Sequence, residues 1–240
     1  MKESKFKIYN NIVSFGCMCS TALYLKKIGV RSKSCFFDWI TSDIKNNLLL
    51  VNNKFDDFFN KTYFRQDYKG YSHLVTNTKY NFVYSHVFDS KKTLAKQYNS
   101  VKKRVQKSID NFLLSLNDSC LLVYYSRSEV ENKWIVDNQE SIKDFCKTYG
   151  CDIIFVLNFE IDVDFAFPTF VIPQNNVHIP NGGGVSFPFT NTEALDAYLI
   201  EHYPIDKLQK NLRHPKKEHK SIFKSAFHRL SMLKRDKLKI

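Results

Sequence analysis

Ile12-Val-Ser-Phe-Gly-Cys-Met-Cys-Ser-Thr-Ala-Leu-Tyr-Leu-Lys-Lys-Ile-Gly29 decides the fold: an apolar run, a tight turn carrying two thiols, and an amphipathic helix. Ile12, Val13 and Phe15 read as a short buried strand, and Gly16 lets the backbone turn at its end. Ala22, Leu23, Leu25 and Ile28 recur at helical spacing, with Ser20 or Thr21 as cap and Gly29 as stop. Cys17 and Cys19 therefore sit at or just before a helix amino terminus. There, unpaired amides and the helix dipole favour a thiolate. A small apolar thiol under a helix also fills a tight turn, so a nucleophile and a packing residue are both open readings.

Working outward, the next segments alternate. Thr41-Ser42-Asp43 caps a helix through Leu48, Leu49 and Val51. Residues 55–79 show no sustained period and read as an irregular insertion, a lid over the site. Tyr80–Ser85 reads as a strand that ends at His86, with Asp89 three residues on. Leu94, Tyr98, Val101, Val105, Ile109, Phe112 and Leu116 mark a long helix over about 91–116, with a lysine-rich opposite face. Cys120–Tyr125 is a buried strand delivering Ser126 and Arg127, and a helix follows through Phe145 and Tyr149 to a stop at Gly150. Asp152–Leu157 is a strand ending at Asn158, and Phe167–Ile172 adds another. Strand, helix, strand in this order marks a parallel α/β unit. The triple glycine Gly182–Gly184 lacks a following Gly-Lys-Ser or Gly-Lys-Thr and reads as a loop. Thr190-Asn-Thr-Glu193 offers a capping box for a further helix.

Charge is unevenly placed. Of the net +12, residues 203–240 carry twelve Lys or Arg against Asp206, Glu218 and Asp236, which is +9. We divide the chain into an α/β domain, residues 1–202, and a basic helical tail, residues 203–240. Ile222, Phe223, Phe227 and Leu230 form an apolar stripe in that tail. Residues 216–240 then suit an anionic membrane surface or packing on the domain, better than nucleic acid, for which no recognisable fold surrounds them. No run reaches the ~18 apolar residues of a membrane span, and the amino terminus lacks a signal-peptide core, which places the chain in the cytoplasm, peripheral at the inner face of the membrane if the tail binds there. The six cysteines are expected as free thiols, and Cys17-Met-Cys19 with no second close pair argues against zinc.

Taken together, Cys17, Cys19, His86, Arg127 and Asn158 fall just past the ends of buried strands, where open parallel sheets bind ligands. A thiol, an imidazole, a guanidinium and an amide are a usable set for acyl transfer. Asp38, wedged between aromatic residues in Phe36-Phe-Asp-Trp39, must be partnered if buried; orienting a histidine or an arginine and capping a turn both fit.

Val13-Ser-Phe-Gly-Cys-Met-Cys-Ser-Thr-Ala-Leu-Tyr-Leu-Lys-Lys-Ile-Gly-Val-Arg-Ser-Lys-Ser-Cys-Phe-Phe-Asp-Trp-Ile40 resembles the opening of a bacterial family of papain-like cysteine peptidases of unknown function, with the pattern SLGxxCxxAxxLKxxGLRxxSxPFDW. The family cysteine then falls on Cys19, Cys17 takes a variable position, and Tyr84–Asp89 resembles the histidine element. Phe36 departs from the proline before Phe-Asp-Trp. The resemblance implies Cys19 as nucleophile and His86 as general base. Asp38 or Asp89 would orient the imidazole, and Arg127, Asn158, Trp39 and Ser126 would hold substrate.

The expected architecture is a three-layer α/β domain, a mostly parallel sheet with helices on both faces, followed by a basic amphipathic helix. A papain-like α+β arrangement is the alternative. The expected reaction is thiol-dependent acyl transfer, ending in hydrolysis or in transfer to an acceptor. Its substrate would be a small molecule or glycan, of the kind met in surface polysaccharide metabolism. It needs no metal or cofactor, with an acyl-CoA or sugar nucleotide as the conceivable co-substrate. The rival readings are a nucleotide-sugar transferase with a structural cysteine, and a non-enzymatic module that binds membranes or polyanions.

Overall fold

The computed structural model describes residues 7–69, 72–158, 165–172, 189 and 191–212. In chain order the elements are β1 (Asn11–Ser14), α1 (Cys19–Lys27), a 3₁₀ turn (Phe36–Trp39), β2 (Ile40–Thr41), α2 (Ile44–Asn52) and a second 3₁₀ turn (Lys61–Tyr63). They continue with β3 (Phe64–Lys69), β4 (Ser72–Asn77), β5 (Phe82–Tyr84), α3 (Leu94–Leu116), β6 (Cys120–Ser126), α4 (Glu129–Asp137) and α5 (Gln139–Tyr149). The last are β7 (Asp152–Leu157), β8 (Thr169–Val171), α6 (Glu193–Glu201) and α7 (Ile205–Leu212).

β1, β6, β7 and β8 form a parallel sheet in that order, with Ile12 opposite Leu121, Leu122 opposite Ile153 and Val156 opposite Phe170. Every residue of β1 and β6 is buried, the near-continuous apolar run expected of a sheet covered on both faces. Successive side chains on β6 show what covers it. Tyr124 meets Phe15, whose ring also packs on Phe112 of α3 and Phe145 of α5. Tyr125, pointing the other way, meets Phe189, which stacks at 4.5 Å on Tyr24 of α1. Helices therefore lie on both faces, as the alternating pattern implies.

The remaining strands depart from that expectation. β2, β5, β4 and β3 build a separate antiparallel sheet, in which β5 is an interior strand between β2 and β4. Residues 64–69 and 72–77, expected as part of an irregular lid, are its paired strands β3 and β4. Their apolar pattern is weak because Arg65 faces solvent and Gln66 and Thr76 are only half-buried. Backbone pairing along the hairpin, and Val75 buried beneath it, hold it in place. α4 was not legible either, since only Asn132 and Ile135 of its nine residues are buried.

α6 begins where the sequence places it, but its cap position is Thr192, whose side chain makes no capping bond. Residues 203–212 pack on the domain. Tyr203 and Leu208 are buried, Lys207 donates to the Asn10 carbonyl at 3.2 Å, and Asn211 to that of Gly29 at 2.8 Å. The triple glycine, Thr190 and the basic helix of residues 216–240 lie outside the described residues. Among the described residues, no helix is long and apolar enough to cross a membrane.

Candidate functional site

The site grows from the end of β1. Gly16 has φ +109, and a Cβ there would stand 2.5 Å from Ser42 Oγ and 2.7 Å from Asn47 Nδ2. Asn47, fully buried on α2, donates to the Phe15 carbonyl and so ties the turn to that helix. Cys17 follows with φ +71, a left-handed conformation uncommon outside glycine. The chain then enters α1, whose first residue is Cys19 and whose cap residue, Met18, makes no side-chain capping bond.

The left-handed turn aims Cys17 across the carboxyl edge of the sheet. Its Sγ accepts a hydrogen bond from Arg127 Nε at 3.1 Å. Arg127 follows β6, and its carbonyl accepts from Asn158 Nδ2 at 3.0 Å while Asn158 Oδ1 accepts from the Tyr125 hydroxyl. Asn158 is thus a positioning residue, with both amide atoms spent inside the protein. Ser126 is fully buried and donates to Glu131 Oε2 at 3.1 Å; Tyr124 donates to the other oxygen of that carboxylate.

Cys17, Arg127 and Glu131 floor a cleft of about 590 Å³ between the end of the parallel sheet, the amino ends of α2 and α4, and the β4–β5 turn. Cys17, Asp43, Arg127, Glu131 and Trp134 line it. Asp43 is turned inward as the cap of α2, as the sequence implies, accepting from Asn46 N at 2.8 Å. Both carboxylates are engaged internally, whereas Arg127 has no ion pair among the described residues. Cys17 and Arg127 are sequence candidates that the fold brings together; Glu131 and Trp134 are not, because they belong to α4, whose pattern is too weak to read.

Burial pushes the Cys17 thiol up to about 12, against the opposing pull of the Arg127 guanidinium. Cys19 is half-buried; burial raises its thiol as well, and its own backbone amide works the other way.

The imidazole is placed elsewhere. β5 runs antiparallel to β2 with Val83 opposite Thr41 and Tyr84 opposite Ile40. Asn81 and Val83 face the cleft, so the chain leaving Tyr84 runs away from it toward Trp39, where His86 meets the indole edge at 6.5 Å. No hydrogen bond or ring contact among the described residues joins His86 to Cys17 or Cys19. Because β5 belongs to the antiparallel sheet, its end does not open on the edge where the thiols and the guanidinium lie.

Asp38 is 1% exposed and accepts from Arg31, from Ser34 Oγ at 3.1 Å and from Cys35 N at 2.7 Å. Trp39 Nε1 donates to the same Ser34 hydroxyl at 3.3 Å. Arg31, Ser34, Asp38 and Trp39 thus close into one clasp around the 3₁₀ turn. Asp38 both holds an arginine and caps a turn, and does not touch His86. Burial raises its carboxyl, opposed by Arg31. Asp89 is exposed and held below the usual carboxylate range by the Lys91 amide and the Lys92 ammonium. Among the described residues no three His, Cys, Asp or Glu side chains gather as a metal site would require.

No curated protein and no solved structure matches this chain. One family profile does, over residues 10–161, which takes in β1 through β7, the clasp and the whole cleft floor. By that match the chain belongs to the family described as "Putative papain-like cysteine peptidase (DUF1796)".

Proposed function

We propose that this chain is a thiol-dependent acyl-transfer enzyme in which Cys19 attacks and the adjoining cleft seats the substrate. The observation that carries the reading is the position of Cys19 as first residue of α1, at the carboxyl edge of the parallel sheet, on a helix end with no side-chain cap. Backbone N–H groups of that first turn can then stabilise the oxyanion that forms when the sulfur adds to a carbonyl. Membership of the family supports a cysteine hydrolase at that coarse level.

In the reaction, the Cys19 thiol loses its proton and the sulfur bonds to the substrate carbonyl carbon. The tetrahedral oxyanion collapses, the leaving group departs with a proton, and a thioester remains. Water or an alcohol then adds to the thioester and the thiol is restored. Arg127, free of an ion pair among the described residues, is suited to an anionic group of the substrate, and a glycan or a small acyl donor fits the volume of the cleft.

A second reading has its own support. The amino ends of α2 and α4 meet Arg127 in one cleft, an arrangement suited to phosphate, so a nucleotide-sugar transferase with structural thiols is the competitor. One experiment separates them: iodoacetamide labelling of each cysteine across pH, read by peptide mass spectrometry, alongside turnover of Cys19→Ser and Arg127→Ala. The acyl-transfer reading expects Cys19 to label first and Cys19→Ser to be inactive. Full activity in Cys19→Ser with loss in Arg127→Ala would support the competitor. His86→Ala is expected to leave the labelling of Cys19 unchanged, a reading supported by the contact of His86 with Trp39 and by the lack of a hydrogen bond to either thiol among the described residues.

A further inference from the structure

We infer that a second cavity, between α3 and the β2–β5 edge, binds a small amphipathic anion: an apolar body carrying one carboxylate or phosphate. It measures about 300 Å³ and shares no lining residue with the Cys17 cleft. The inference is therefore independent of the thiol chemistry.

Its walls are apolar: Phe36, Trp39 and Ile40 from the clasp segment, Val87 beyond β5, and Val105 on α3. Burying an aliphatic or aromatic body against them is favourable in proportion to the area covered. The charged groups are all of one sign. Arg104 and Lys107, one helical turn apart on α3, both line the cavity, and no acidic side chain does. Of the carboxylates next to its lining in sequence, Asp38 is sealed behind the wall in its bond to Arg31, and the exposed Asp110, one turn beyond Lys107, does not line the cavity and accepts from Gln106. Arg104 gives one guanidinium N–H to the Val87 carbonyl, which anchors it at the cavity and leaves other donors of its fork free. Lys107 is exposed and has no ion pair among the described residues. Apolar walls and two cations together select an anion with an apolar body over a neutral lipid or a bare inorganic anion.

The chain holds two tryptophans, and each reports one site: Trp39 lines this cavity and Trp134 the Cys17 cleft. The test titrates Trp134→Phe, in which only Trp39 emits, with decanoate, decyl phosphate and 1-decanol below their micellar range. Decanoate or decyl phosphate should shift Trp39 emission saturably, and decanol should bind at least about tenfold more weakly, the worth of a charge-assisted hydrogen bond. Whichever of the two anions binds tighter identifies the head group. Lys107→Glu, an exposed change that leaves the core untouched, should weaken both anions and spare decanol. The inference fails if decanol binds as well as the anions, or if Lys107→Glu changes nothing. It fails also if the response appears in Trp39→Phe, where only Trp134 emits, instead of in Trp134→Phe.

Discussion

At Gly16 a single missing side chain decides whether the site can form. Its φ of +109 excludes ordinary residues, and the space a Cβ would need is held by Ser42 and Asn47, which are packed on the backbone there. Gly16→Ala therefore combines backbone strain with a collision against two buried polar side chains. We expect it to lower stability by roughly 2–4 kcal/mol, measured as the shift in urea midpoint. An unchanged midpoint would mean that Ser42 and Asn47 can withdraw, and that the turn does not depend on them. Cys17 is the complementary case: it takes a left-handed φ of +71 without being glycine, so its thiol is delivered to Arg127 at a conformational cost. The glycine was visible as a turn residue in the sequence. The side chains that crowd it come from some thirty residues away, Ser42 just before α2 and Asn47 on it, and could not be.

Among the elements, α5 ends as its sequence says, with Gly150 at φ +61 and Cys151 N bonded back to the Cys146 carbonyl at 3.0 Å. Here a Cβ would meet nothing within 4 Å. Gly150→Ala should therefore cost only the strain, about 1 kcal/mol, by the same urea measurement. A loss as large as that of Gly16→Ala would show that the open space at Gly150 is not real. The long helix α3, the strands β1, β6 and β7, and the cap at Asp43 were legible because their periodicity or cap chemistry is local. The β3–β4 hairpin was not. Its strands are held by cross-strand backbone bonds, and of their described side chains only Val75 and Asn77 are buried, so no apolar alternation was required of them.

For the molecule as a whole, the buried thiols make stability depend on alkaline pH. Burial pushes Cys17 and Cys35 up to about 12, so both stay protonated in the folded chain where an unfolded thiol, near 8.5, would ionise. A raised folded pKa contributes stability that is whole below the unfolded value and is lost as pH climbs toward the folded one. The thermal midpoint should thus fall steadily from about pH 8 to about pH 11, and Cys17→Ala with Cys35→Ala should flatten part of that fall. A flat profile in the wild type would mean that these thiols reach solvent.

The sequence by itself determined the parallel α/β core, the turn with its two thiols, and the family pattern, because each rests on contacts between residues close along the chain or on the burial of whole strands. Only the tertiary structure decided which groups meet. His86 and Arg127 both follow strands, yet one strand pairs antiparallel with β2 and the other parallel with β1, so the imidazole goes to Trp39 and the guanidinium to Cys17. Strand partnership is a long-range choice made by the backbone pairing of distant segments, and a strand's own residues carry no record of it.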